Sequence, residues 1–139
     1  MLIAGVSGAG CCVLAPAPSF VMLRLISQWL NVRFEEVTLR PDFQLDVPAM
    51  LAAIGRQRPR LIFLACPNNP TGNLFDEASL RAVLEAADAL VVIDEAYLAF
   101  ASRDHTALLA QYPNLLIMRT LSKLGLAGLR LGYLIGDPR

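Results

Sequence analysis

Ala89-Leu-Val-Val-Ile-Asp94-Glu-Ala-Tyr97 is the stretch on which the fold turns. The apolar residues from Ala89 to Ile93 show no alternation, so the strand they form is buried on both faces, and that requires a sheet covered on two sides. The run ends on a carboxylate, Asp94, with a phenol, Tyr97, three residues further on. Ligands of open α/β sheets bind at the carboxyl ends of the strands. An acid at that place is therefore a candidate functional group.

Similar runs recur to either side. Strands are predicted at 11–15, 33–39, 61–65, 90–94, 115–119 and 131–135, with helix-period segments between them, the pattern of a mainly parallel sheet with covering helices. Asp76 is a good N-cap for a helix that carries Leu80, Val83, Leu84 and Ala87 on its inner face and Glu77, Arg81 and Glu85 on its wet one. A second helix follows Asp46, with Pro48 in the tolerated first turn and Met50, Leu51 and Ile54 turned inward. A third runs from about Ser19 to Leu30. No repeat, low-complexity tract or linker marks a domain boundary.

At 139 residues the chain is about one domain long. It is 55% hydrophobic and only 17% charged, an apolar surplus that suits a membrane protein, an obligate oligomer or the interior of a larger domain. The first 23 residues carry no charge. A signal peptide would need a basic start, and Gly5, Gly8, Gly10, Pro16 and Pro18 interrupt any spanning helix. The reading preferred is a buried strand with flanking turns, and no membrane partner. Twelve basic and twelve acidic residues give a net charge of zero, which leaves no electrostatic footprint for nucleic acid. Cys11, Cys12 and Cys66 make neither a metal-ligand spacing nor a disulfide framework, so no metal is expected and a reducing, cytoplasmic location fits.

Several motifs invite chemistry. Gly5-Val-Ser-Gly8-Ala-Gly10 and the later Gly125, Gly128 and Gly132 suggest nucleotide binding, but no helix follows the first set as the dinucleotide fingerprint demands, and no Walker lysine is present. They are read as turns. His105 is the only histidine; without a second histidine or cysteine pair it reads as a structural or surface residue, and a Ser-His-Asp set cannot be built around any other. Of the 12 basic residues only Lys123 is a lysine. Arginine can replace a surface lysine but cannot act as an amine nucleophile, so a lone retained lysine is suggestive. Cys66-Pro-Asn-Asn69-Pro-Thr-Gly72 forms a rigid turn at the same sheet edge as Asp94. Three strand ends thus present an amide, a carboxylate with a phenol, and an amine.

Pro67-Asn-Asn-Pro-Thr-Gly72, Asp94-Glu-Ala-Tyr97 and Thr120-Leu-Ser-Lys123 with Arg130 resemble the signature of the fold type I pyridoxal-phosphate aminotransferases, and within that superfamily the histidinol-phosphate aminotransferases most nearly. The likeness runs over essentially the whole chain, Leu14-Ala-Pro-Ala-Pro-Ser-Phe20 included. It implies an α/β fold, a three-layer α/β/α sandwich around a mainly parallel sheet, with pyridoxal 5'-phosphate as cofactor. It further implies that Lys123 binds the cofactor covalently and later shuttles a proton, that Asp94 pairs with the pyridine nitrogen, and that Tyr97 and Asn69 hydrogen-bond the phenolic oxygen. Thr120, Ser122 and Arg130 would hold the phosphate, and Phe20 would stack on the ring. The six residues Leu124–Leu129 between lysine and arginine are one fewer than in many relatives.

By the same resemblance, residues 1–139 are expected to be the central part of a large cofactor-binding domain, without the N-terminal arm and the C-terminal small domain. The expected reaction joins a small-molecule amino donor to a 2-oxo acid: histidinol phosphate and 2-oxoglutarate give imidazole acetol phosphate and glutamate, in a homodimer. The segment alone is expected to be inactive. An aromatic aminotransferase, an amino-acid-phosphate decarboxylase, or a non-catalytic regulatory module built on this fold are the alternatives.

Overall fold

The computed structural model describes residues 2–6, 8 and 10–137. Six strands form one sheet: β1 (Cys12–Ala17), β2 (Arg33–Thr38), β3 (Leu61–Ala65), β4 (Leu90–Asp94), β5 (Leu115–Thr120) and β6 (Gly132–Gly136). Their order across the sheet is β2-β1-β3-β4-β5-β6. The first five run parallel and only β6 is antiparallel to its neighbour. Helices α1 (Leu2–Val6), α2 (Met22–Trp29), α3 (Val47–Gln57) and α4 (Glu77–Ala86) provide the cover.

Two apolar layers follow from strand alternation. Leu14, Ile62, Leu64, Val91, Ile93, Leu115 and Ile117 pack with Met50, Ala53, Ile54, Leu80, Val83 and Leu84 of α3 and α4. Val13, Ala15, Leu61, Phe63 and Val92 pack with Ile3 of α1 and Leu23 of α2. The result is the three-layer α/β/α sandwich expected. Both long helices are capped as the sequence suggests: Asp76 accepts the Ser79 backbone N–H at 2.8 Å, and Asp46 accepts that of Ala49 at 3.0 Å.

The outer strand β2 is charged, and its acids reach opposite layers: Glu36 pairs with Arg24 of α2 and Glu35 with Arg56 of α3. Such pairing blunts an edge that could otherwise recruit another strand.

Four expectations need correction. The buried strand expected near the start of the chain is present as β1, but a helix, α1, precedes it where only turns were expected; Ile3 is buried under the sheet, and Gly5 is helical rather than a turn residue. Gly10 does turn, at φ 82°, whereas Ser7 and Ala9 of the same stretch lie outside the described residues. The first strand extends through Pro16; its ladder with β3 stops at Leu14, so the proline falls where β1 is paired on one side only. Leu51 points to solvent at 37% exposure, and Ala53 takes its inward place. Finally, Tyr133 and Leu134 of β6 are exposed, although a covered sheet implies burial.

Candidate active site

The strand order reverses between β1 and β3, since the chain leaves β1 toward β2 on one side and returns to β3 on the other. A crevice opens at the carboxyl ends of strands flanking such a switch point. Here Phe20 after β1, Pro67 and Asn69 after β3, Asp94, Ala96 and Tyr97 after β4, and Lys123 after β5 surround one cavity of about 90 Å³.

Asn68 builds the turn that brings two of these loops together. It is only 2% exposed. Its side-chain amide donates to the Pro18 carbonyl at 3.0 Å and to the Thr71 hydroxyl at 2.7 Å, while its oxygen accepts from the Ser19 hydroxyl at 3.1 Å. The buried asparagine thus ties the loop after β1 to the loop after β3, and its neighbour Asn69 is the one left facing the cavity. Gly72 closes the turn at φ 75°, a conformation glycine adopts without strain.

Asp94 lies partly buried at the end of β4, its Oδ1 accepting the Ala96 backbone N–H at 2.9 Å. Among the described residues it has no ion-pair partner. Burial raises its pKa above the ordinary carboxylate value; the Ala96 bond lowers it, and the nearby Glu95 charge raises it further. Lys123 is exposed, and its ammonium lies 4.9 Å from the centroid of the Tyr97 ring, close enough for a cation–π contact.

The expected phosphate-binding residues are placed less uniformly. Thr120 and Arg130 edge a second, wider groove of about 650 Å³ that shares Phe20 and Asp94 with the first cavity. Ser122 lines neither. The Thr120 hydroxyl donates to the Leu131 carbonyl at 3.2 Å and accepts the Ser122 backbone N–H at 3.1 Å, so it organises its own loop. Arg130 is exposed, makes no ion pair among the described residues, and has φ 49°, a left-handed conformation that costs a non-glycine residue energy and is often kept where function requires it.

A cluster that sequence reasoning missed lies beside the cavity. Glu95, only 1% exposed, receives Nδ1 of His105 at 2.9 Å and Nε of Arg119 at 2.8 Å. Burial would raise the Glu95 pKa, but these two partners hold it below the ordinary value. His105 is likewise buried, which opposes its charge; the contacts with Cys66 and Glu95 outweigh that and push it up to about 9. Its structural reading holds, with a charged partner that spacing alone did not reveal. Among the described residues no group of histidines, cysteines and acids could hold a metal ion, and no helix is long and apolar enough to cross a membrane.

A parallel sheet whose strand ends gather one lysine, one unpaired carboxylate, a phenol and an amide defines the fold type I class of α/β enzymes. The chain belongs to the family of class I and II aminotransferases, whose profile matches residues 1–139. Histidinol-phosphate aminotransferase 2 of Nitrosococcus oceani is 51% identical over 138 residues, covering 99% of this chain. The protein of the same name from Burkholderia pseudomallei is 52% identical over 139 residues. The chain spans 38% and 39% of the length of these two relatives. Among solved structures, histidinol-phosphate aminotransferase from Sinorhizobium meliloti in complex with pyridoxal-5'-phosphate superposes with a TM-score of 0.86 at 32% identity, over 99% of this chain and 39% of that one. A Thermus thermophilus aspartate aminotransferase mutant, 22% identical with a TM-score of 0.85 over 98% of this chain and 39% of its own, shares the fold.

Proposed function

We propose that this chain forms the pyridoxal 5'-phosphate site of an aminotransferase that passes an amino group from histidinol phosphate to 2-oxoglutarate. The observation that carries the reading is the convergence of Lys123, Asp94, Tyr97, Asn69 and Phe20 on one cavity, in a chain about half identical to relatives named for that activity.

The residues suit the cofactor. A partly buried carboxylate without a cation, Asp94, calls for one, and a protonated ring nitrogen answers it. Phe20 would offer an aromatic face to a flat ring, and Arg130, which has no ion pair among the described residues, would bring its guanidinium toward a phosphate. When bound, pyridoxal phosphate supplies an aldehyde for amine chemistry and a ring that withdraws electrons from the bond being broken. Lys123 Nζ, the only side-chain amine of the chain, would hold the cofactor through its aldehyde and would be the base placed to move a proton at the substrate α carbon. Asp94 would pair with the ring nitrogen and favour its protonated form. Tyr97 and Asn69, which line the cavity, would donate hydrogen bonds to the ring oxygen, and Arg130 would hold the anionic end.

The proposal extends to a homodimer working in the cytoplasm. Cys12 and Cys66, both buried and outside any disulfide, fit a reducing compartment, and the wide apolar groove beside Phe20 supports coverage by further protein.

The test is to add pyridoxal phosphate to the purified chain, follow the absorption band of the lysine adduct, and fix it with borohydride. Attachment to Lys123, lost in Lys123→Arg, is the expected result. A folded chain that fixes none overturns the cofactor assignment. Full-length protein that transaminates only aromatic amino acids, or that releases carbon dioxide, overturns the substrate.

A further inference from the structure

Glu95 stands back to back with Asp94. Successive residues of extended chain point to opposite faces, so Asp94 faces the cavity while Glu95 turns toward the layer that holds His105 and Cys66. Both Glu95 oxygens are occupied. Oε1 accepts the His105 backbone N–H at 2.8 Å and Nδ1 of the same residue at 2.9 Å, and Oε2 accepts Arg119 Nε at 2.8 Å. The backbone N–H of Glu95 adds a fourth tie, to the Met118 carbonyl at 2.8 Å.

These partners are not arbitrary points of the fold. His105 closes the loop that begins at Tyr97 and passes through the short helical turn Leu98–Phe100. Arg119 lies on β5 immediately before Thr120, and from there the chain reaches Lys123. Asp104 receives the other end of Arg119 at 3.3 Å, so the guanidinium bridges the closed loop and the lysine-bearing strand. One buried carboxylate therefore connects all the polar groups of the cavity that come from β4 and β5: Asp94 as its neighbour, Tyr97 through His105, and Lys123 through Arg119.

We propose that Glu95 is a positioning residue, with Arg119 as its arm, that fixes Lys123 against Tyr97 and Asp94 from outside the cavity they line. It touches neither the cavity's occupant nor the reacting atoms. The inference takes from the proposed function only the reason why this spacing matters; the spacing itself can be measured without any cofactor. A buried carboxylate that loses a charged partner is left uncompensated, so the clamp acts as a unit rather than as separate bonds.

The lone lysine makes the test clean. Reductive ¹³C-dimethylation keeps the charge of Lys123 and gives one side-chain resonance, apart from that of the amino terminus. In the unvaried chain the Tyr97 ring beneath the ammonium shifts this resonance upfield. Glu95→Gln and Arg119→Met are expected to return it to the value of the denatured chain while the methyl signals of Ile62, Ile93 and Ile117 stay in place; Arg119→Lys, which keeps one charged contact, retains part of the shift. A shift that persists in folded Glu95→Gln and Arg119→Met, or that is absent from the unvaried chain, overturns the proposal. If Glu95→Gln does not fold, Arg119→Met decides, because that side chain is partly solvent-exposed; if neither folds, the cluster is a stability element and the proposal fails. Failure of borohydride to attach pyridoxal phosphate would strike the cofactor assignment and leave this result standing.

Discussion

Asp94 sets stability against function within one side chain. Burial raises its pKa above the ordinary 3.8, so the folded chain favours the protonated form. The stability this contributes is complete below the ordinary value and is lost as pH rises through the folded one. At neutral pH the ionised carboxylate is a liability unless a cation sits beside it. Asp94→Asn is therefore expected to raise the thermal midpoint of the cofactor-free chain at neutral pH, with the gain vanishing in acid, and to weaken retention of pyridoxal phosphate; melts at both pH values and an absorption titration check the two halves. His105 behaves in the opposite range. Its imidazolium persists to about 9 against an ordinary 6.5, so its contribution is complete below 6.5 and disappears as pH rises through about 9. Denaturant melts should show stability falling across that interval, and a flat profile there would mean that His105 is neutral in the fold. Asn69, Asp94, Tyr97 and Lys123 were legible because each lies at, or within four residues of, the carboxyl end of a strand, whereas Phe20 came from the resemblance alone. Glu95, His105 and Arg119 were not, because their contacts join residues that no spacing rule relates. The available signal was physical: an acid placed just beyond a fully buried strand must find a counter-charge.

Elements were read well where burial is two-sided. β3 is apolar throughout and β4 up to Ile93, and their predicted bounds of 61–65 and 90–94 are those observed. Helix α1 was missed because its five residues are too few to show a period and include Gly5. In α3 the pattern turned Leu51 inward beside Met50 and Ile54, and packing against the sheet buried Ala53 in its place. That choice predicts an asymmetry between adjacent residues. Met50→Ala removes a side chain with no exposure and is expected to cost about 2–5 kcal/mol, whereas Leu51→Ala should change stability by roughly 0.5 kcal/mol or less. Urea unfolding of the two variants decides it. Equal losses would show that α3 is rotated from the position described.

Across the whole molecule, the apolar surplus has a location. Leu131, Tyr133 and Leu134 are exposed along β6, and Phe20, Leu23, Ile26, Phe63 and Met118 line the groove that runs beneath it. Contiguous apolar surface of this kind marks an interface or promotes aggregation. The purified 139-residue chain is expected to associate as its concentration rises, with sedimentation velocity as the measurement; a single monomeric species at all concentrations would mean that the groove closes on itself. Composition alone offered a membrane, a partner or a larger domain as the cause. The sandwich narrows this by showing full cover over the middle strands and little over the last, where Ile135 alone is partly buried against the core.

The isolation of Lys123 has a practical side for proteolysis. A protease specific for lysine finds one target bond in this sequence, Lys123–Leu124, and it lies in an exposed turn between β5 and β6. Digestion would release residues 124–139 as a single peptide, detaching β6 from the rest of the sheet. Any group covalently attached to the Lys123 amine blocks that cut. The ratio of nicked to intact chain on a gel would then report occupancy of the pocket at one residue, with no chromophore and no turnover required.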